Sequence, residues 1–331
     1  MKAILNRLAK HETLEVSEAE KILTGIAEGQ YNHSQIAAFL TVFMMRSITL
    51  KELEGFRKAL QKLCLSVDLS DFSPIDLCGT GGDGKDTFNI STLASFVTAG
   101  SGIKVAKHGN YGVSSGCGSS NVLEYLGIKF SNDDDFLKRC IDEAGICNLH
   151  APLFHPAMKN IAPIRRELGV KTFFNMLGPL VNPAYPKYQL TGVFNLELAR
   201  IYGYLFQNSK QHFTILFSLD GYDEISLTGP TKAIRNKGEC IIDASDFGID
   251  SLKAEEISGG SNIPSSAAIF TKVLRGKGSE AQNNVVCANA AMAIATVTDC
   301  SPKEGFEKAK ESLLSGKANK AFKKLQNLSV T

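Results

Sequence analysis

Hydrophobic and polar positions in the first 65 residues follow a helical period only. The stretches SEAEKILTGIA and TLKELEGFRKAL both place apolar residues three and four positions apart. Ser17 stands three residues before Glu20, and Thr49 three before Glu52, a spacing that predicts a capping box at each helix start. Between them, HSQIAAFLTVFMMRS is apolar on more than one face, so we expect neighbouring helices or a second subunit to cover it.

After residue 74 the pattern changes to short apolar runs that alternate with helical ones. PIDLCG, GIKVAK, ICNLHA, QLTGVFN and HFTILFSL have the composition of strands, and runs such as ISTLASFVTAGS and DDFLKRCIDEAG are helical. Alternating strands and helices predict an α/β fold with a mostly parallel central sheet. The polar stretch at 66–74 is the best linker, which predicts a small helical domain over 1–66 and a larger α/β domain over 74–331.

Composition limits the classes of function that the chain can serve. The 331 residues are 44% hydrophobic and carry a formal net charge of +2, with no long basic run to neutralise a nucleic-acid backbone. The eight cysteines show neither a C-x-x-C pair nor zinc-ligand spacing, which is typical of reduced thiols. The apolar stretches are far shorter than the ~20 residues of a membrane span. We therefore expect a cytoplasmic protein without a nucleic-acid or membrane partner.

One glycine-rich segment, DLCGTGGDGKDTFNIST, lies between a predicted strand and a predicted helix and partly matches two phosphate-binding motifs. Gly79, Gly81 and Gly84 have the spacing of the dinucleotide fingerprint, whereas Gly79, Gly84 and Lys85 have that of a Walker A loop. A Walker A lysine is followed by Ser or Thr, but this chain has Asp86 there. The Walker A interpretation therefore fails.

The dinucleotide interpretation fails as well, because the next predicted strand runs into Lys107 and His108 rather than an acid for ribose hydroxyls. What remains is a turn that exposes backbone N–H groups at a helix start, where an anion is favoured. Short polar side chains gather at the same helix start, namely Thr87, Asn89, Ser91 and Thr92. An ordinary capped turn is the alternative, but so many donors together with Lys107 favour a phosphate site.

Four blocks in order resemble the anthranilate phosphoribosyltransferase family: GTGGDGKDTFNIST, KHGNYGVSSGCGSSNVLEYLG, HPAMKNIAPIRRELGVKTFFNMLGPLVNPA and SLDGYDEIS. The resemblance covers nearly the whole chain. It implies a helical domain and an α/β domain of the nucleoside phosphorylase and phosphoribosyltransferase type, with the substrates in the cleft between them. It also implies that part of 165–190 joins the helical domain around a hinge, and that two copies form a homodimer through that domain.

The resemblance implies that the anthranilate amine attacks C1 of 5-phosphoribosyl 1-diphosphate (PRPP) and releases pyrophosphate. Lys107 would offset the charge that develops on the leaving group. His108 is the nearest candidate to accept the amine proton, although an anthranilate contact or a structural role stays equally open. The implied PRPP contacts are Gly79, Gly82, Asp83, Thr87, Asn89, Ile90, Ser91, Thr92, Lys107, Ser115 and Ser119.

For anthranilate, the resemblance implies contacts from Gly79, His108, Asn110 and Arg165. A guanidinium can pair with the anthranilate carboxylate through two charge-assisted hydrogen bonds. Adjacent residues on a helix face different ways, so only one of the arginines at 165 and 166 can point into the cleft, and the family pattern selects Arg165. An ordinary exposed helix charge is the alternative for both.

A metal site is implied at Asp223 and Glu224, with Ser91 as a further ligand. Magnesium prefers hard carboxylate oxygens and bridges to substrate phosphates, so the resemblance implies a Mg²⁺ cofactor, two ions per subunit. The alternative is a solvated acidic turn around Asp220 and Gly221, because acids in exposed turns are common.

Two departures and two rival functions accompany this resemblance. Tyr111 stands where most members have Arg, which removes one charge from the mouth of the site, and Asn121 stands where most have Asp. A pyrimidine-nucleoside phosphorylase shares the implied architecture, but the glycine and GPLVNP blocks match the anthranilate enzymes better. A non-catalytic nucleic-acid-binding relative would have a strongly basic surface and would lack the metal acids.

Overall fold

The computed structural model describes residues 1–112 and 117–329, and its N-terminal part is a bundle of four helices. Their bounds are α1 (Lys2–Leu8), α2 (Val16–Ala27), α3 (His33–Met45) and α4 (Leu50–Lys62). α3 buries Ile36, Phe39 and Phe43 in the bundle, whereas Met44 and Met45 at its end are 43% and 82% exposed. The bundle thus covers one side of this apolar helix, and the homodimer stays a prediction.

The predicted capping box of α4 is confirmed, and its glutamate is completely buried. The Glu52 carboxylate accepts the N–H of Thr49 at 2.9 Å, the N–H of Leu14 at 3.0 Å and the guanidinium of Arg46 at 2.6 Å. Burial alone would raise the pKa of Glu52, but the hydrogen bonds from Arg46, Thr49 and Leu14 outweigh it and lower this pKa. One ionised carboxylate therefore joins the start of α4, the end of α3 and the chain before α2.

The predicted capping box at Ser17 is wrong, because the N-cap of α2 is Glu15, two residues earlier, and the helix begins at Val16. The Glu18 carboxylate accepts the N–H of Glu15 at 3.1 Å, and the Arg7 guanidinium donates to Glu18 at 2.6 Å. An ion pair with the preceding helix thus positions Glu18 as the capping acid.

Seven strands form one sheet in the order β3-β2-β1-β4-β5-β6-β7. They are β1 (Ile75–Leu77), β2 (Val105–Gly109), β3 (Ile146–His150), β4 (Tyr188–Gly192), β5 (His212–Ser218), β6 (Thr231–Arg235) and β7 (Gly238–Ile242). β1 to β5 pair in parallel, with Ile75 of β1 opposite Val105 of β2 and Tyr188 of β4, so the predicted mostly parallel sheet is confirmed. The antiparallel strands β6 and β7 were not predicted, and four of the five residues of the edge strand β7 are exposed.

Helices cover both faces of the sheet. They are α5 (Ile90–Gly100), α6 (Ser119–Tyr125), α7 (Asp134–Ala144), α8 (Ala151–Phe154), α9 (Ala162–Leu168), α10 (Leu196–Gln207), α11 (Ile263–Leu274), α12 (Glu280–Thr298), α13 (Pro302–Leu314) and α14 (Lys317–Leu328). Short 3₁₀ turns lie at Ser70–Phe72, Pro156–Asn160, Phe173–Met176, Gly178–Leu180, Ala244–Phe247 and Ala254–Ile257. Successive strand residues point to opposite faces, so Ile215 of β5 joins one buried core and Leu216 the other.

The segment from Ile161 to Leu177, which includes α9, packs on the helical bundle. Phe173 stacks on Phe56 of α4 with the ring centroids 4.3 Å apart, and it meets Phe43 edge-on at 5.2 Å. Ile161, Ile164 and Leu177 belong to the same buried core as the bundle. This segment therefore forms the wall that faces the carboxyl ends of β1 and β2.

No single helix in the described ranges has the length and apolar character needed to cross a membrane. α12 and α13 combine the required length and apolar character only as a pair, and that pair is bent by 116°.

We predict that Glu52→Gln lowers the free energy of unfolding by about 2–3 kcal/mol, because an amide leaves the buried donors around it partly unpaired. Urea unfolding measures this change. Glu54→Gln is the matched control on the same helix, since Glu54 only pairs with Lys58 at the surface and should change stability by less than about 0.5 kcal/mol. If both variants lost the same free energy of unfolding, the buried hydrogen bonds of Glu52 would contribute no more to stability than a surface ion pair.

Candidate active site

A pocket of about 330 Å³ opens at the carboxyl ends of the parallel strands. The loop after β1 and the start of α5 form its floor, the loops after β2 and β5 form two sides, and Arg165, Phe174 and Gly178 close it from the helical-bundle side. The carboxyl ends of parallel strands are where α/β folds bind ligands, so this is the candidate active site.

Most of the residues predicted from the sequence line this one pocket. They are Gly79, Gly82, Asp83, Thr87, Asn89, Ser91, Thr92, Lys107, His108, Asn110, Ser119, Arg165, Asp223 and Glu224. Ile90 does not line it, because its side chain is 1% exposed and belongs to the hydrophobic core beneath the helix start. Ser115 lies outside the described residues. The binding role of each residue stays a prediction.

Two glycines allow the acidic loop after β5 to approach the glycine loop (residues 78–89). A Cβ added at Gly79 would lie 2.9 Å from an Asp223 carboxylate oxygen, and one at Gly192 would lie 1.4 Å from the Asp223 carbonyl oxygen. The Gly81 N–H donates to the Asp223 carboxylate at 2.7 Å. Side chains at 79 or 192 would push the acids away from the loop.

The acidic loop also reaches the start of α5. The Glu224 carboxylate accepts the N–H of Ser91 at 2.8 Å, and the Asp83 carboxylate accepts the N–H of Asp223 at 3.4 Å. Burial, and then repulsion from Asp83, raises the pKa of Asp223; burial, and then repulsion from Asp223, raises the pKa of Glu224. The site therefore holds more negative charge than its own hydrogen bonds neutralise.

These carboxylates fit a divalent cation that also takes ligands from a substrate. Nowhere in the described ranges do three His, Cys, Asp or Glu side chains converge closely enough to hold a metal by themselves. Magnesium usually binds one or two carboxylates and completes its shell with water and phosphate oxygens. The uncompensated charge of Asp223 and Glu224 beside the Ser91 hydroxyl suits such a shared ion.

Lys107 and His108 lie side by side at the end of β2. The buried Lys107 ammonium donates to the Leu77 carbonyl at 2.6 Å, which leaves two of its three N–H groups for other partners. Burial, and next the nearby His155, lowers the pKa of His108 to about 3, so its imidazole is neutral at neutral pH. Nδ1 donates to the Gly178 carbonyl at 3.0 Å. Nε2 then carries the free lone pair, and it is buried without a partner among the described residues.

Arg165 presents a cation to the opposite end of the pocket. Its guanidinium donates to the Asn175 side-chain oxygen at 3.3 Å and lies over the Phe174 ring, 5.2 Å from the centroid. Burial lowers the pKa of Arg165, and it forms no ion pair within the described ranges. Arg166 is exposed and outside the pocket lining, which agrees with the predicted division between the two arginines.

Comparison with known protein families matches both parts of the chain. Residues 2–64 match the helical bundle domain of the glycosyl transferase family, and residues 72–319 match its a/b domain. The anthranilate phosphoribosyltransferase of Flavobacterium johnsoniae is 71% identical over 330 residues and covers 100% of both chains. The chain belongs to the anthranilate phosphoribosyltransferase family.

Solved structures of the family share the whole architecture. The Thermus thermophilus enzyme superposes with a TM-score of 0.91 at 30% identity, covering 99% of each chain. The Saccharomyces cerevisiae enzyme in complex with PRPP and Mg has a TM-score of 0.90 at 25% identity, covering 98% of this chain and 96% of its own. Its complex with 4-fluoroanthranilate has a TM-score of 0.87 at 25% identity, with the same coverage.

Several pocket residues were not assigned from the sequence. Phe174, Asn175 and Gly178 line the site, and the Lys171 ammonium donates to the Gly82 carbonyl at 2.5 Å. All four belong to a block quoted for the family resemblance, but nothing in its local pattern separates pocket residues from core residues. The sequence around Gly192 did not indicate a role for it either, because Gly192 and the acidic loop that it approaches are distant along the chain.

Of the two departures from the family pattern, Tyr111 lies in the loop after β2 and Asn121 in the first turn of α6. The Asn121 side-chain oxygen accepts the N–H groups of Gly112 and Gly118, each at 3.0 Å, contacts that require only an acceptor oxygen. The Tyr111 hydroxyl donates to Glu124 at 3.2 Å, and its ring meets His150 edge-on. Both departures are therefore accommodated within the loop and α6.

We predict that the stability of the metal-free protein falls as the pH rises, because the folded-state pKa values of Asp223 and Glu224 are raised. The contribution of these two carboxyl groups to the free energy of unfolding is fully present below their unfolded-state pKa of ~4. It is lost as the pH rises through their raised folded-state pKa values. We expect the Asp223→Asn/Glu224→Gln variant to lose less stability than the wild type between about pH 5 and pH 8 in urea unfolding with EDTA.

The matched control is Asp134→Asn/Asp135→Asn, which removes two exposed acids from the first turn of α7 and should keep the wild-type slope. Identical slopes in all three proteins would show that the two site acids titrate normally.

Proposed function

We propose that this chain transfers the phosphoribosyl group of PRPP to the amine of anthranilate, which gives N-(5-phosphoribosyl)anthranilate and pyrophosphate, a step of tryptophan biosynthesis. Membership of the family supports this function. The observation that carries it is the division of one pocket into an end with peptide N–H groups, Lys107 and excess carboxylates, and an end with the Arg165 guanidinium, which forms no ion pair among the described residues. A diphosphate suits the first end, and an aromatic carboxylate suits the second.

At the diphosphate end, the glycine loop and the start of α5 offer backbone donors. Gly79, Gly82 and Asp83 lie on the loop, and Thr87, Asn89, Ser91 and Thr92 surround the helix start, which favours anions. The backbone of Ile90 belongs to the same helix start, although its side chain is in the core. Ser119, and Ser115 outside the described residues, complete the proposed PRPP contacts.

Lys107 has the position and charge for a catalytic role at this end. Its ammonium is fixed by one hydrogen bond to the Leu77 carbonyl and keeps two donors for the departing diphosphate. A preorganised cation in a buried site stabilises developing negative charge without a cost of reorganisation. We assign to Lys107 the stabilisation of the leaving group.

Magnesium binding is supported by the carboxylate excess and by the yeast relative solved with PRPP and Mg. Asp223 and Glu224 would hold the ion, with the Ser91 hydroxyl as a further ligand, and we propose two ions per subunit. When bound, Mg²⁺ would supply positive charge that neutralises the diphosphate oxygens.

At the anthranilate end, Arg165 would bind the carboxylate, with Gly79 and Asn110 beside the ring. The neutral His108 leaves Nε2 as a hydrogen-bond acceptor, so it can accept an N–H of the aromatic amine and aim the nitrogen lone pair. A pKa of about 3 makes His108 a weak base, which favours orientation of the amine over full removal of its proton.

The bond changes then follow from the placement of the two ends. The amine nitrogen forms a bond to C1 of the ribose while the C1–O bond to the diphosphate breaks, and the electron pair of that bond leaves on pyrophosphate. The nitrogen, which is positively charged once its bond to C1 has formed, then loses one proton and becomes neutral. Positioning the two substrates converts a bimolecular encounter into a reaction within one complex.

Three organisational features belong to the same proposal. Residues 1–66 would form the helical domain, joined around the hinge by part of 165–190, and 74–331 the catalytic domain. The core shared by α4 and Phe173 supports that division. We also propose a homodimer through the helical domain, supported by the exposed Met44 and Met45, and a cytoplasmic location.

The decisive experiment follows anthranilate fluorescence after PRPP and MgCl₂ are added to the purified protein. Consumption of the amine should abolish the fluorescence in step with pyrophosphate release. A parallel incubation with thymidine and phosphate tests the pyrimidine-phosphorylase alternative. Phosphorolysis of thymidine with unchanged anthranilate fluorescence would overturn the proposal.

We predict that Arg165→Ala raises the KM for anthranilate tenfold or more, because the loss of one charge-assisted pair costs at least ~1.4 kcal/mol. Steady-state kinetics should show a smaller change in the KM for PRPP. Arg166→Ala is the matched control, since the neighbouring side chain is exposed and should leave both constants unchanged. An unaltered anthranilate KM in Arg165→Ala would remove Arg165 from the site.

A further inference from the structure

A second cavity, of about 220 Å³, lies where α4, the chain from 179 to 186 and the end of α10 meet. Pro179, Leu180, Pro186 and Phe206 give it apolar walls. The turn Gly178–Leu180 separates it from the active site, because Gly178 lines the first pocket while Pro179 and Leu180 line the second. We call it the Arg57 cavity.

Arg57 is the sole charged residue among the described residues that line this cavity. Its Nε is buried without a hydrogen-bond partner, and it forms no ion pair within the described ranges. The nearby acid, Glu54, pairs instead with Lys58 at 3.0 Å. Desolvating a guanidinium without a counter-charge is unfavourable, and burial lowers the pKa of Arg57 accordingly.

Three of the neighbouring polar side chains already donate hydrogen bonds to the backbone. The side-chain amides of Gln61, Asn182 and Gln211 donate to the carbonyls of Leu180, Ala106 and Pro186 at 3.2, 2.9 and 2.8 Å. These amides keep the walls in place but leave recognition of a negative group to the guanidinium. A ligand would therefore be selected by Arg57 and by the apolar walls.

Tyr185 at the rim has a backbone φ of 44°, in the left-handed region that a residue with a side chain rarely adopts. Its hydroxyl donates to the Gln61 carbonyl at 3.0 Å, which links the rim to α4. Conformations of this kind cost about 1–3 kcal/mol and cluster at ligand sites.

Charge and size define the ligand. A planar guanidinium matches a carboxylate through two parallel hydrogen bonds, and one positive charge balances a monoanion better than a phosphate dianion. The volume is below the ~300 Å³ of ordinary drug-sized sites, which leaves room for one ring.

We propose that the Arg57 cavity is a second ligand site, which binds a small monocarboxylate with a single-ring apolar body through the Arg57 guanidinium. It is separate from the anthranilate end of the active site, where Arg165 provides the cation. The proposal goes beyond the transferase reaction and does not depend on it.

The probe is 4-fluorobenzoate, titrated into the full-length protein and followed by ¹⁹F NMR. Because its carboxylate can also bind Arg165, the titration is made in an Arg165→Leu background. We expect binding to persist there and to weaken by roughly tenfold or more when Arg57→Gln is added. Arg57→Lys keeps the charge but loses the planar fork, so its affinity should lie between those of the Arg165→Leu and Arg165→Leu/Arg57→Gln proteins. Lys51→Gln, exposed at the start of the same helix and paired with Glu15, should change nothing.

Two results would overturn the proposal. One is the absence of 4-fluorobenzoate binding in the Arg165→Leu background, with the thermal transition of that variant unchanged. The other is equal affinity in the Arg165→Leu and Arg165→Leu/Arg57→Gln proteins. The anthranilate fluorescence assay on the wild type is independent of both, so failure of this site and failure of the transferase function are distinguishable.

Discussion

The active site depends on two adjacent carboxylates that hold the glycine loop and the start of α5 by their backbone N–H groups. Asp223 accepts from Gly81, and Glu224 from Ser91, so the acidic loop after β5 sets the shape of the proposed phosphate-binding surface. The same contacts bury negative charge that the protein does not neutralise. One pair of residues thus gives both the structural support and the charge on which the proposed cation site depends.

The pocket also holds two cationic groups, each suited to a different anionic part of the substrates, in separate parts of a small volume. Lys107 and the loop N–H groups face the end that suits a diphosphate, whereas Arg165 lies against the helical-bundle side. Between them, His108 is kept neutral by burial, and its Nδ1 hydrogen bond to Gly178 determines which ring nitrogen is free. A neutral imidazole between two cationic groups avoids a third positive charge and leaves an acceptor for an amine.

Local patterns predicted much of the fold and the chemical character of the site. Thr49 and Glu52 are three residues apart, so their capping box follows from helix geometry alone. At Ser17 the same pattern failed, because Arg7 from the preceding helix positions Glu18 as the capping acid instead. The β6–β7 hairpin was not predicted, because four of the five residues of its edge strand are exposed and the strand has no buried apolar run.

The sequence by itself determined the helical bundle, the five parallel strands and the polar helix start with Lys107, because each depends on residues close together along the chain. Only the tertiary structure decided that Gly192 must lack a side chain, that Lys171 reaches Gly82, and that Arg57 has no counter-charge among the described residues. These features join positions that are distant in sequence. Their energies come from contacts and desolvation that exist only once the sheet and the bundle have packed together.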